Sequence, residues 1–294
     1  MTRLLDRATA LMDRAGLPQG SLAHADSGMH VLRFHTPSPQ QATVYRPLLC
    51  LVLQGAKQVS AGARNLTVAA ADSLIVSHAL PVVSRITRAT PETPYVALVF
   101  PIDLDLLRGL AAAVPPARGM RSNDPFSITR CPTDPAMQDA LTRYLDQCAK
   151  GGTRQLLAPI TRQEIHARLL LGAHADALQK LLWHETTASR IFQATREIQS
   201  DLSRTVVVGE LADRIGMSQS AFFEHFKAVT GTSPLQYQKD LRLLHARDAL
   251  RGSDAKVSEI AFHVGYESSA QFSREYARKF GLSPRQDRAA LAAE

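Results

Sequence analysis

The spacing of hydrophobic and polar positions changes along the chain, and the changes mark out its elements. Residues 3–15 read as a helical start. Over residues 43–100 the rhythm shortens, with apolar runs at 48–53, 66–68, 74–76, 81–86 and 95–100 separated by turn residues such as Gly55 and Gly62. Short runs between turn signals predict a small antiparallel barrel or sandwich. Helical spacing returns at residues 104–113, 136–150, 159–171 and 175–183, and residues 184–189 read as a join to the second half. The expected class is α+β, with one domain over residues 1–185 and an all-α domain over residues 190–294.

Two segments of that second half match at a displacement of 49 to 50 residues. Leu211, Ala212, Ile215, Gly216, Ser218, Phe222, Phe226, Gly231, Ser233 and Pro234 recur as Ile260, Ala261, Val264, Gly265, Ser268, Phe272, Tyr276, Gly281, Ser283 and Pro284. Shared apolar, glycine and capping positions with different residues between them are what two copies of one scaffold leave behind. In copy one, a short helix buries Leu211, Ala212 and Ile215, and Gly216 supplies the positive φ that turns the chain. Ser218 caps the next helix, whose Phe222, Phe226 and Val229 form one apolar stripe. Copy two repeats the plan with one extra residue in its turn.

A helix advances about 100° per residue, so the face opposite each stripe follows directly. It carries Ser220, Glu224 and Lys227 in copy one, flanked by Gln219 and Phe223. In copy two it carries Ala270, Arg274 and Ala277, flanked by Ser269, Gln271 and Ser273. With the caps Ser218 and Ser268, and Arg278 one turn beyond Arg274, these are the candidate DNA-contacting residues of two helix-turn-helix units, 208–229 and 257–280. Arg274 is the expected base reader, because a guanidinium can bond both acceptors of a guanine edge. Copy one offers no arginine on its outer face, so copy two is expected to be the more strongly specifying unit. Between them Pro234 opens a helix to about Leu250 with rows Tyr237, Leu241, Leu244 and Leu243, Ala246, Leu250, broad enough to touch both units. A rigid connector suits two successive major grooves, about 34 Å apart.

Residues 190–290 resemble the DNA-binding domain of the AraC/XylS family of bacterial transcription regulators, through MSQSAFFEHFKAVTGTSP from Met217, LQYQKDLRLLHARDAL and GYESSAQFSREYARKFGLSP from Gly265. Phe223 and Glu224 stand where that family more often places basic or polar residues. Residues 20–185 resemble the N-terminal sensor domain of one AraC-type subgroup, through YRPLLCLVLQGAKQV from Tyr45, LPVVSRI from Leu80 and PETPYVAL from Pro91. The resemblance implies a cupin-like barrel with flanking helices, used for effector binding and dimerisation. It also implies an unidentified small-molecule effector, double-stranded DNA as partner, possible contact with RNA polymerase, and a homodimer.

Charge adds little to this picture. The 294-residue chain carries a formal net charge of +7, which suits a polyanionic partner. Residues 190–294 nevertheless hold 15 Lys plus Arg against 13 Asp plus Glu, a net of +2, so the placement of Lys227, Lys239, Arg242, Arg274 and Arg278 matters more than the total. Cys50, Cys131 and Cys148 lack metal spacing and are odd in number, which fits a reduced cytoplasm. No apolar run of about 18 residues occurs, so no membrane partner is expected.

The N-terminal half offers no converging catalytic set. His30, His35 and His78 are scattered with no His-x-His pair, so no metal, cofactor or enzyme activity is expected, and a barrel enzyme with a DNA-binding tail is the weaker alternative. An effector-free protein whose first half only dimerises is another. Lys57 is a candidate for an anionic effector beside its ordinary reading as a solvated strand-edge lysine, and Arg85, with Arg88, for a pocket mouth beside a plain surface role. Cys50 reads as a buried inert thiol; Cys131, in a proline-containing loop, is the better redox-sensor candidate. The apolar rows between residues 136 and 183 exceed what a small barrel needs, and point to a two-fold interface.

Overall fold

The computed structural model describes residues 1–113, 127–149, 151–182 and 186–291. Helix α1 (Thr2–Arg14) leads into strands β1 (Gly20–His24), β2 (Met29–Phe34), β3 (Gln41–Tyr45), β4 (Leu48–Gln54), β5 (Ala56–Ala61), β6 (Arg64–Ala69), β7 (Asp72–Val76), β8 (Leu80–Arg88) and β9 (Tyr95–Pro101). Then come α2 (Leu104–Ala111), β10 (Ile128–Pro132), α3 (Pro135–Cys148), α4 (Gly151–Leu156), α5 (Ala158–Leu171) and α6 (Ala175–Leu182). Seven helices follow: α7 (Thr187–Ser200), α8 (Val208–Arg214), α9 (Gln219–Thr230), α10 (Pro234–Gly252), α11 (Val257–His263), α12 (Ser269–Phe280) and α13 (Pro284–Leu291).

The strands form two antiparallel sheets, ordered β1-β2-β9-β4-β7-β10 and β3-β8-β5-β6, packed face to face as a cupin-like barrel. The larger sheet is buried on both sides, which is why residues 48–53 are a continuous apolar run and do not alternate. Leu49, Leu51 and Leu53 of β4 face α1, α3 and α5, packing with Leu4, Met12, Leu141 and Ile165. Cys50 and Val52, between them, face the barrel interior with Val59, Val82 and Ala97. Each fully buried side chain of this kind contributes about 1.5–3 kcal/mol. Gly55, at φ +79, turns β4 into β5, and a Cβ there would lie 2.4 Å from the Arg88 carbonyl oxygen.

Several expectations need correcting. Cys131 lies in β10, paired with Ser73 of β7, and not in a loop; β10 is an edge strand ending in Pro132, so its polar and proline content hid it. Residues 187–189 are the first turn of α7, not part of a join, with the Thr186 hydroxyl accepting from Ser189 N at 3.1 Å. Lys150, Trp183, His184 and Glu185, the remaining ends of those expectations, lie outside the described residues. The rows between 136 and 183 are largely spent on the sheet: Met137, Leu141, Leu145, Ile165 and Leu169 are buried in the barrel-flanking core.

The two halves touch through specific contacts. Ser127 donates to the Val229 carbonyl oxygen from its backbone N at 3.2 Å and from Oγ at 2.8 Å, at the end of α9. Tyr237 Oη of α10 donates to the Ala79 carbonyl oxygen at 2.6 Å. The β5–β6 turn seats Gly62 so closely on Gly231 that a Cβ at Gly62 would fall 2.1 Å from the Gly231 carbonyl oxygen.

Candidate functional site

Both helix-turn-helix units form as the residue pattern requires. In the first, Gly216 at φ +67 ends α8, and Met217 N closes the turn on the Ala212 carbonyl oxygen at 2.9 Å. Ser218 Oγ then accepts from Ala221 N at 3.3 Å to open α9. Phe222, Phe226 and Val229 are buried, and the Phe222–Phe226 and Phe226–Tyr237 rings meet edge-on, each pair at 5.5 Å. In the second, Gly265 at φ +91 ends α11, Tyr266 N bonds the Ala261 carbonyl oxygen at 2.9 Å, and Ser268 Oγ accepts from Gln271 N at 3.3 Å. Phe272 and Tyr276 are fully buried. Both second helices stop at a left-handed glycine, Gly231 and Gly281.

The faces left over are solvent-facing. Ser218, Gln219, Ser220, Phe223, Glu224 and Lys227 are exposed around α9; Ser268, Ala270, Gln271, Arg274 and Arg278 are exposed around α12, with Ser269 half-buried. The capping serines spend a lone pair on the helix and keep their own hydroxyl proton for another acceptor. Gln271 is tethered, its Nε2 donating to Glu275 Oε1 at 3.2 Å. No ion pair joins Glu224 to Lys227 among the described residues.

Two basic residues placed by sequence with the DNA-facing set act as struts. Lys239 Nζ lies 3.3 Å from Glu275 Oε1. Arg242 donates to the Leu202 carbonyl oxygen at 2.6 Å and to that of Ser203 at 3.1 Å, with its guanidinium 6.0 Å from the Tyr266 ring centre. Burial lowers the Arg242 pKa from its ordinary value. The reason is geometric: α10 runs between the units, so its flanks are walls.

Sequence reading also missed Asp287, on α13. Its carboxylate is almost fully buried and accepts from Tyr276 Oη at 2.6 Å and from Arg247 Nε and Nη2 at 2.8 and 3.1 Å. Tyr266, buried beside Phe272, donates to Glu275 Oε2 at 3.0 Å. A carboxylate in a polar eight-residue helix carries no signal in one sequence.

In the barrel, Lys57 contradicts its strand-edge reading. Period two puts it on the inward face of β5 with Val59 and Ala61, and it is only 6% exposed. Its Nζ donates to Cys50 Sγ at 3.2 Å and Tyr45 Oη at 3.3 Å, and lies 5.3 Å from the Tyr45 ring centre. Burial by itself would lower the Lys57 pKa, but Cys50, Tyr45 and Tyr95 outweigh it and hold the ammonium above its ordinary value. Lys57 faces a cavity of about 590 Å³ between the barrel and helices α10 and α13. Arg85 is on the outer face, donating to Gln58 Oε1 at 3.0 Å, and Arg88 is likewise exposed. Burial raises the half-buried Cys131 thiol above its ordinary pKa, the opposite of what a reactive thiolate needs. His78 sits at the junction, edge-on to Phe192 at 6.1 Å, with neither ring nitrogen hydrogen-bonded among the described residues, and burial pushes its pKa down to about 3. Among the described residues no helix is long and apolar enough to cross a membrane, and no cluster of His, Cys, Asp or Glu is placed to hold a metal ion.

The model of the AraC-type transcriptional regulator N-terminus matches residues 26–177, more than half of the chain, and that of a helix-turn-helix domain matches residues 211–290. The chain is similar to the HTH-type transcriptional activator RhaS of Escherichia coli O157:H7, 33% identical over 134 residues, 46% of this chain and 48% of that protein. RhaS of Escherichia coli K12 is 32% identical with the same coverage, so the chain spans about half the length of the curated relatives it matches. Two solved structures of ToxT from Vibrio cholerae share the fold. An apo form carrying a single lysine-to-alanine substitution covers 93% of this chain and 99% of its own, at TM-score 0.59 and 9% identity. A wild-type form bound to an unsaturated fatty acid covers 88% and 93%, at TM-score 0.60 and 9% identity. A cupin-like barrel whose sequence fits the regulator N-terminus, followed by two complete helix-turn-helix units, places this chain in the family of AraC-type transcriptional regulators.

Proposed function

We propose that this protein is a sequence-specific DNA-binding transcription regulator whose barrel holds a small-molecule effector in the cavity against α10 and α13. The observation that carries the reading is the pair of units in register, each with its aromatic stripe buried and its opposite face exposed. The scaffold repeats while the exposed faces differ, which is what two units reading different sequences require. Arg274 and Arg278 on α12 and Lys227 on α9 are the cationic groups for base edge and phosphate. RNA polymerase contact and a role free of catalysis belong to the same proposal.

Effector control follows from the shared cavity. A ligand lying between barrel residues and α10 touches both halves at once, and shifts the balance between arrangements by its difference in affinity for them. A wild-type ToxT structure, which shares this fold, is bound to an unsaturated fatty acid, and that supports a ligand-holding use of the fold.

A homodimer completes the reading. Ile160 and Leu171 are exposed on α5 at 63% and 71%, with Leu157 exposed at its N-cap, and the spacing of Ile160 and Leu171 keeps them on one face. Genome-wide mapping of bound DNA, followed by footprinting on the recovered sites, tests the central claim. A single protected motif spanning two successive major grooves is expected; uniform, sequence-independent protection would refute it.

A further inference from the structure

We infer that a second cleft between the two halves, apart from the cavity that Lys57 faces, takes a phosphate monoester, its dianion held by the guanidiniums of Arg46, Arg108 and Arg196 and its organic body lying against Phe192 and Leu241. This is a ligand site additional to the effector cavity proposed above, and it does not depend on that reading.

The cleft gathers residues that are far apart in the chain. Arg46 stands in the turn between β3 and β4, Arg108 on α2, Arg196 on α7 and His245 on α10, and together they line a space of about 400 Å³. That volume lies within the roughly 300–1,000 Å³ usual for small-molecule sites. Its apolar lining also comes from both halves, Phe192 and Leu241 from one, Ala79 and Leu104 from the other. Val44 lines this cleft and the Lys57 cavity alike, but the charged residues of the two spaces are separate.

Three guanidiniums face one carboxylate in this lining, an excess of two positive charges. The carboxylate, Asp105, is already spent on Arg108, Oδ1 to Nη1 at 2.5 Å. Neither Arg46 nor Arg196 has an acidic partner among the described residues, whereas Arg33, Arg143, Arg168 and Arg214 each reach a carboxylate within 2.7 Å. Arg196 is nevertheless held in place, its guanidinium 5.9 Å from the Phe192 ring centre. Bringing like charges from separate elements to one space is unfavourable unless an anion joins them. The crowding is felt at His245: burial lowers its pKa, Asp248 pulls it back up and Arg46 lowers it again. A phosphate monoester carries nearly two negative charges near neutral pH and three strong acceptor oxygens, which match both the excess charge and the planar guanidinium forks. A carboxylate would balance only half of that excess. Because Arg46 and Arg108 belong to the barrel half and Arg196 to the DNA-binding half, one such ligand would tie the halves together, adding to the Tyr237–Ala79 hydrogen bond.

Isothermal titration of the full chain with phenyl phosphate, benzenesulfonate and benzenesulfonamide, one ring with a dianionic, a monoanionic and a neutral head group, tests the class, at a pH well above the second phosphate pKa of about 6. Phenyl phosphate is expected to bind about 10- to 100-fold more tightly than benzenesulfonate, the worth of one further charge-assisted hydrogen bond, and the sulfonamide not measurably. Arg46→Gln and Arg196→Gln, both at exposed positions, should each weaken phenyl phosphate about 10-fold, while Arg85→Gln on the outer face of the barrel should leave it unchanged. Equal binding of phosphate and sulfonate would overturn the dianion, inorganic phosphate binding as tightly as phenyl phosphate would overturn the organic body, and binding of none would overturn the site. The same chemistry could come from the phosphodiester backbone of DNA, and footprinting separates the two sources. A doubly substituted chain, Arg46→Gln with Arg196→Gln, is expected to lose the ester and keep the parent footprint; loss of the footprint in step with the ester would assign the cleft to DNA and overturn the inference.

Discussion

Asp287→Ala should damage the second DNA-reading unit more than any change on its exposed face. The carboxylate is 1% exposed and receives three hydrogen bonds, one from the buried Tyr276 hydroxyl and two from Arg247, whose side chain is 22% exposed and lies 4.7 Å from the Phe280 ring centre. Removing it leaves a guanidinium in a largely apolar setting and a phenol hydroxyl with no acceptor. Breaking a buried pair by deleting one partner costs about 3–5 kcal/mol, and the part of Arg247 that still reaches water argues for the lower end, about 3 kcal/mol. Against a total stability of about 5–15 kcal/mol this is a large loss. Urea denaturation followed by far-ultraviolet circular dichroism reads it, and footprinting should show protection lost first over the half-site of the second unit. Asp287→Asn, which keeps an acceptor for Tyr276 but not the charge, should fall between parent and Asp287→Ala. If the unfolding free energy of Asp287→Ala lay within about 0.5 kcal/mol of the parent, the range of an ordinary surface substitution, the brace would contribute nothing and the reasoning would fail.

Four further outcomes are expected. Arg274→Ala should cost about 1–3 kcal/mol of binding and relax one base position, whereas Lys227→Ala should weaken all sequences about equally; an unchanged preferred site after Arg274→Ala would remove it as base reader. His78 and His174 are held neutral in the fold, at about 3 and about 4 against an unfolded value near 6.5, so their contribution is full above pH 6.5 and is lost as pH falls toward 3 for His78 and 4 for His174, about 2 kcal/mol apiece at pH 5. Urea midpoints at pH 7 and pH 5 check this, with His78→Leu expected to lessen the loss. Gly62→Ala, strained by its φ of +55 and opposed by the Gly231 backbone, should uncouple barrel from DNA-binding half, so that calorimetry shows two transitions where one is expected for the parent. Ile160→Glu should turn a sedimenting dimer into a monomer; a parent already monomeric at tens of micromolar, where typical interfaces are formed, would remove α5 as the interface.

Local chemistry determined the DNA-binding half. Gly216, Gly265, Ser218 and Ser268 act within a few residues of themselves, so turn, cap and helix follow from neighbours in the chain, and a fixed 3.6-residue period then decides which side chains face out. The apolar rows of α10 were legible for the same reason: Tyr237 and Leu241 pack with the first unit, Leu243, Ala246 and Leu250 with the second. The alternation of β5 would have placed Lys57 inward with Val59 and Ala61, but a lysine in a single sequence reads as solvated until its partners are known. Those partners, Tyr45 and Cys50, come from two other strands, and α10 closes the cavity from far along the chain. Arg242 and Lys239 look like groove contacts by charge alone and become struts only because α10 lies between two units. Asp287 acquires its role solely from Arg247 and Tyr276, brought to it by packing. Patterns set by a repeating backbone geometry are written along the chain, while buried charge pairs and shared cavities depend on which distant residues meet, and that only the packed tertiary structure decides.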